Sequence, residues 1–241
     1  MKLSSELKSY IKKYQEELDN NLFDRFAVDV LVKGGAYLFE EACELCLNEL
    51  GENLNLYIRN DYVVEDNVVF SRDKKTLYKY APEKYDLKYV IPSTVETIHY
   101  EAFKGNSYLE DIEIPANVTH IGSRAFYNCN RLKQIKWSGA KTAGSEVFIG
   151  CQDLKTVICE DINDFWNYGC DNLGSPFING ADLYVNGTLC EEITVPNEVR
   201  GTFRAFKGCK SIKHINFDKN NPYIERALLY IIDSVERTNV F

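Results

Sequence analysis

The chain has 241 residues, enough for one elongated domain with an appendage or for two small domains, and its 45% hydrophobic content excludes wholesale disorder. Its formal charge of −8 is evenly spread: 13 basic and 17 acidic residues run up to Tyr89, 15 and 19 follow, and each part stands at −4. That balance excludes the basic stripe that phosphate-backbone binding needs, so no direct nucleic-acid contact is expected.

From the N-terminus, Leu3, Leu7, Tyr10, Ile11, Tyr14 and Leu18 recur at helical spacing. Glu6, Lys8, Lys12, Lys13, Glu16 and Glu17 interrupt any apolar run, so the segment reads as an amphipathic helix and not as an export signal. A second helix is expected over Leu22 to Val32, broken by Gly34-Gly35, and a third over Ala36 to Leu50, closed by Gly51. Residues 1–51 are thus expected to form a helical cap or a small binding domain. Cys43-Glu44-Leu45-Cys46 is a lone C-x-x-C. Zinc sites pair two such elements and redox motifs follow a strand, and neither context is present.

Tyr62 to Tyr80 alternates apolar and polar residues after the turn-forming Arg59-Asn60-Asp61 and reads as a hairpin. A weaker echo, Tyr223 to Phe241, reads either as a second hairpin or as a capping helix begun at Pro222.

Between these lies an internal repeat. Ile91 to Glu113 (IPSTVETIHYEAFKGNSYLEDIE) and Ile114 to Lys136 (IPANVTHIGSRAFYNCNRLKQIK) share the frame I-P-x-x-V-x-x-I-x-x-x-A-F-x-x-[CN]-x-x-L-x-x-I at a period of 23. A third copy keeps Val147-Phe148, Cys151, Leu154 and Val157, and a fourth runs from Val195-Pro196 through Ala205-Phe206, Cys209, Ile212 and Ile215. Leu109-x-x-Ile112-x-Ile114 and Leu132-x-x-Ile135-x-Trp137 end in the alternation of a strand with one buried face. Prolines 92, 115 and 196 end such strands by removing a donor. One unit cannot bury its own apolar face, so the units must stack into a solenoid, with Phe103, Phe126, Phe148 and Phe206 expected in an interior column. Cys129, Cys151 and Cys209 each follow a repeat Phe by three residues and are expected to be buried free thiols, as in a reducing compartment.

The frame resembles the BspA-like (Treponema-type) leucine-rich repeat, from about Leu54 to the C-terminus. The resemblance implies a binding or adhesion surface. The expected fold is therefore α+β: a leucine-rich-repeat β-solenoid over 52–241, with a short parallel sheet, behind the helical N-terminal unit.

Residues 159–194 fit the period poorly and read as an irregular insertion. Leu183-Tyr184-Val185, Asn186-Gly187 and Thr188-Leu189-Cys190 form a strong hairpin signal, because Asn-Gly suits a type I′ turn. Phe165, Trp166, Tyr168 and Phe177 before it supply either core or an aromatic recognition loop.

His99, His120 and His214 converge with no ligand set, and no phosphate-cradling, nucleophile-elbow or metalloprotease motif occurs. No catalytic residue, metal or cofactor is expected. A partner would meet the outward strand positions: Glu110, Asp111 and Glu113; Lys133 and Lys136; Lys155; Glu191 and Glu192; Lys213; and Trp166 of the aromatic segment. These charges alternate from strand to strand, so they either pair with one another or form a patterned docking surface. The expectation is a cytoplasmic, non-enzymatic protein-binding inhibitor or adaptor without membrane contact, of a size that suits a phage or mobile element acting on a host protein. The alternative is a cell-surface adhesin fragment.

Overall fold

A computed structural model describes residues 62–82, 84–166, 168–171, 173–196 and 203–217. The segments expected to form three N-terminal helices, Cys43, Cys46 and the Tyr223–Phe241 echo lie outside these residues. The chain divides into two compact units, Met1–Pro82 and Glu83–Phe241.

In the first unit, β1 (Tyr62–Glu65), β2 (Val68–Ser71) and β3 (Thr76–Tyr80) form an antiparallel meander. Asp66 and Asn67 join β1 to β2 with φ of 48° and 60°, the left-handed pair that a two-residue hairpin turn requires. At the next turn Asp73 accepts from the Ser71 hydroxyl at 2.6 Å and from the Lys75 amide at 3.1 Å. Those bonds hold its carboxyl below the usual range.

The second unit is a ladder of coils. Parallel strands β4 (Lys88–Val90), β6 (Asp111–Ile114), β8 (Gln134–Trp137), β10 (Thr156–Cys159) and β11 (Asp182–Val185) lie side by side in that order. A second row, β5 (Thr97–Ile98), β7 (His120–Ile121) and β9 (Thr142–Ala143), is also parallel. From Asp111 to its partner Gln134 is 23 residues, and from Gln134 to Thr156 is 22. Register and sequence period therefore coincide.

Each coil closes at its Phe. Phe103 and Phe126 stack at 4.8 Å, and Phe126 and Phe148 at 5.2 Å with planes 2° apart. Glu101, Arg124 and Glu146, two residues earlier, adopt left-handed φ of 55°, 58° and 57°. With the backbone so turned, the Glu101 and Phe103 amides reach the next coil's Ser123 and Ala125 carbonyls at 3.1 and 2.7 Å. The Arg124 and Phe126 amides reach Ser145 and Val147 in the same way at 2.9 and 3.0 Å. These inter-coil bonds satisfy turn amides that burial would otherwise leave costly. Gly122 lets coils approach, since a Cβ there would collide with the Tyr100 backbone nitrogen and the His99 carbonyl carbon.

The cysteine column has its own logic. The Cys129 thiol donates to the Phe103 carbonyl at 3.0 Å, and the Cys151 thiol to the Phe126 carbonyl at 3.1 Å. Asn106, at the same frame position, donates instead to the Lys84 carbonyl at 3.0 Å, so Cys and Asn both serve there as donors to an earlier backbone carbonyl. Cys129, Cys151, Cys159, Cys170, Cys190 and Cys209 are all free.

The structure differs from the sequence reading at 159–194. The segment is a lengthened coil: Thr156 to its partner Asp182 is 26 residues, and β11 continues the parallel ladder from β10. The extra length folds as α1 (Asn163–Trp166) and the link behind it. Phe177 takes the repeat's Phe position, stacks with Phe206 at 6.2 Å, and so stands in the column between Phe148 and Phe206. Asn179 donates to the Phe148 carbonyl at 2.7 Å, the bond that Cys makes in earlier coils. The aromatic segment supplies core. Phe165 stacks on Trp137 at 5.3 Å, Trp166 packs edge-on against Phe206 at 5.0 Å, and the buried Tyr168 hydroxyl donates to the Gly174 carbonyl at 2.9 Å.

Candidate interaction face

On β6, β8 and β10 burial alternates, so inward Ile112, Ile114, Ile135, Trp137, Val157 and Cys159 face the core while their neighbours form an outer face. The registers arrange that face in rows. One row reads Lys88, Asp111, Gln134, Thr156, Asp182, and the next reads Val90, Glu113, Lys136, Ile158, Tyr184.

Most expected charges on this face pair with one another. Asp111 meets Lys88 at 3.1 Å. Lys136 lies 3.3 Å from Glu113 and 3.8 Å from Glu160. Glu110, just before β6, accepts from Lys133 and from Arg131 at 2.7 Å each, and these bonds hold its carboxyl below the usual range. The Lys155 ammonium turns back to the Gln152 carbonyl at 2.8 Å.

Glu191, Glu192 and Lys213 do not continue this ladder as the sequence suggested. β12 (Thr188–Leu189) folds back antiparallel on β11 across the Asn186-Gly187 turn, with φ of 49° and 75°, and takes the sheet edge. β13 (Glu192–Val195) instead pairs with β14 (His214–Phe217) in a separate two-stranded parallel sheet. There Lys213 binds Glu191, lowering its carboxyl pKa, and Asn216 binds Glu192. Trp166 is displaced furthest from expectation: at 8% exposure it is a core residue and belongs to no face.

The sequence matches the family described as BspA type Leucine rich repeat region in 6 copies, over residues 75–182 and 178–240. The chain belongs to the BspA-type leucine-rich repeat family. One solved structure with a TM-score above 0.5 agrees in fold, and two others are similar in sequence. The pneumococcal vaccine antigen PcpA is 19% identical with a TM-score of 0.52, covering 79% of this chain and 48% of that one. A leucine-rich repeat protein from Eubacterium ventriosum is 23% identical (TM-score 0.46), covering 68% of this chain and 41% of its own. A leucine rich cell surface protein from Faecalibacterium prausnitzii is 22% identical (TM-score 0.44), covering 74% and 43%. The chain thus spans about half the length of these relatives or less. No curated protein matches the sequence.

Within the BspA-type ladder, chemistry is sparse. Among the described residues no group of three His, Cys, Asp or Glu is placed to hold a metal ion, and no helix is long and apolar enough to cross a membrane. His120 exchanges a hydrogen bond with Thr142 at 2.9 Å, across the row that pairs it with Thr97. Burial pushes the Cys159 thiol up to about 12, helped by Asp164 and other nearby acidic groups. The Cys170 thiol is likewise pushed up to about 12 by burial and then by Asp171. Both are inert sulfhydryls at neutral pH.

One group of face residues was not singled out by sequence as a unit. Ile158 and Tyr184 are cross-strand neighbours, and Tyr184 is in turn opposite Leu189 of β12. Leu189 is 40% exposed, and Ile158 and Tyr184 are half-buried. The pairing of β11 with β10 brings the three together, and period counting cannot supply that pairing because the coil is lengthened.

Proposed function

We propose that this chain is a non-enzymatic protein-binding module that engages its partner through the outer face of the β4–β11 ladder. The observation that carries the reading is the regular register of that face. Five parallel strands present two continuous rows of side chains on a rigid, fully packed core, a geometry suited to docking. Within this reading the chain acts as an adaptor or inhibitor inside the cell that makes it. Support comes from the thiols of the Phe turns, which serve as hydrogen-bond donors to backbone carbonyls and form no disulfides.

The test is affinity capture from source-cell lysate with wild type and with Lys133→Glu/Lys136→Glu, followed by reconstitution with the purified partner. Reversal leaves Glu110 and Glu113 facing like charges on an intact ladder, so loss of the partner with unchanged circular dichroism places contact on this face. Capture that survives the double change removes the face from the proposal. A surface-adhesin role, suggested by relatives described as a vaccine antigen and a cell surface protein, is separated by labelling exposed lysines in intact source cells with a membrane-impermeant amine reagent. Labelling from outside the membrane would reverse the assignment of compartment.

A further inference from the structure

The ion pairs on the ladder are mutually satisfied, so the part of the face with spare binding capacity lies elsewhere. Ile158, Tyr184 and Leu189 form a continuous apolar row across β10, β11 and β12, half-buried to exposed, on the side of the sheet away from the core. Strand alternation fixes what flanks it. Asp182 lies two residues before Tyr184 on the same face, and Glu160 lies two residues after Ile158, its side chain 79% exposed. Glu160 continues into Asp161 and Asp164. Burial and then the neighbouring Asp161 and Glu160 charges raise the Asp164 carboxyl, which shows that these acids crowd one another. Among the described residues Lys136 reaches the cluster, 3.8 Å from Glu160, and it is already closer to Glu113.

We infer that the Ile158–Tyr184–Leu189 row is a docking site for an extended segment of another protein that carries apolar side chains at its centre and Lys or Arg on both flanks. This rests on the protein-binding reading and names the partner's chemistry. The apolar row supplies the desolvated centre, and Asp182 on one side and Glu160 with Asp161 on the other supply an acidic rim, while Lys136, beside Ile158 in the row, is held by Glu113 and Glu160. The same rim repels phosphate backbones and anionic lipid surfaces, which leaves a basic polypeptide as the complementary occupant.

The probe is a fluorescein-labelled nonapeptide with a Leu-Phe-Leu centre between Lys/Arg flanks, read by anisotropy against the full chain. A second peptide keeps the centre and replaces the flanks with Glu. At about 50 mM salt the basic peptide is expected to bind at least about tenfold tighter than the acidic one, and the margin should shrink at about 0.5 M as screening shortens. Tyr184→Ser/Leu189→Ser should weaken the basic peptide about tenfold or more. Asp182→Lys/Glu160→Lys leaves the apolar row intact and should invert the preference, so the site is tested even if the first variant folds poorly. Equal affinity for the two peptides, no saturable binding, or no inversion by the charge-swapped variant each overturns the inference. The protein-binding reading fails separately, if wild type captures no partner or if capture survives Lys133→Glu/Lys136→Glu.

Discussion

Phe126→Ala is the substitution that most directly probes the solenoid. The ring is fully buried, with Phe103 on one face at 4.8 Å and Phe148 on the other at 5.2 Å. Truncating a buried Phe to Ala costs about 3–5 kcal/mol, and the value depends on how far the surroundings collapse into the void. Here collapse is hindered. The two flanking coils are held at fixed spacing by the Phe103 amide bonded to Ala125 and the Phe126 amide bonded to Val147, so neither ring can move along the column without breaking its ladder. The loss should therefore fall in the upper half of that range, above about 4 kcal/mol. Urea unfolding followed by fluorescence of Trp137 and Trp166 measures it, and with a slope of about 2 kcal/mol/M the midpoint should drop by about 2 M. Phe126→Leu keeps an apolar filler between the rings and should lose about half as much. A loss below about 1 kcal/mol for Phe126→Ala, with the slope unchanged, would refute the claim that the coils are held rigidly about a shared column.

Three further outcomes follow from the same geometry. Gly122→Ala should cost about 1–3 kcal/mol or more, because the new Cβ meets backbone of the preceding coil that cannot rotate away; a thermal melt matching wild type would contradict this. Cys129→Val removes one of two donors to the buried Phe103 carbonyl, which keeps the Asn106 amide, and should cost about 0.5–1.5 kcal/mol, whereas Cys129→Asn, which supplies a side-chain amide donor, should cost less; the order of the two urea midpoints decides it. Cys159 and Cys170 have folded thiol pKa values raised to about 12 from 9.0, so the native state holds protons that the unfolded chain releases. Stability should accordingly fall as pH climbs from about 9 towards 12, by up to about 1.4 kcal/mol per pH unit for each thiol, and Cys159→Ala/Cys170→Ala should flatten that slope.

How much of this was legible depends on where the period is regular. Wherever the spacing is 22 or 23, the frame predicts the register, because a parallel coil places residue i beside residue i+23 whatever the side chains are. Thr97 beside His120 and the stacking of Phe103, Phe126 and Phe148 were available from counting alone. The 26-residue step to Asp182 defeats counting. Phe177 has Pro176 before it and Gly180 three residues after it, where the other turns carry Ala or Val before the Phe and Cys or Asn after it, so a structural coil reads as an insertion. Trp166 shows a related failure: its segment reads either as core or as a recognition loop, and the lengthened coil, whose interior large rings fill, makes it core. The strand-face acids and bases were legible as residues, and counting sets Glu110 beside Lys133, but whether they pair with one another or form a docking surface needed the side-chain geometry. The phage or mobile-element origin rests on size and architecture, with no residue behind it.

The lengthened coil also bears on where binding is concentrated. In the regular coils Asp111 follows Lys88 and Lys136 follows Glu113, and cross-strand pairing absorbs both pairs. At β10 and β11 that alternation stops: Ile158 and Tyr184 succeed Lys136, and β12 turns back to add Leu189 to the row before the ladder can resume. The hairpin therefore does two things at once. It ends the parallel sheet with a short strand flanked by Glu191 and Glu192, which discourages end-to-end pairing with a second copy. It also widens an apolar row that a simple coil would have left two residues long, so the departure from the repeat that hides the coil in the sequence is what creates the face's least satisfied surface.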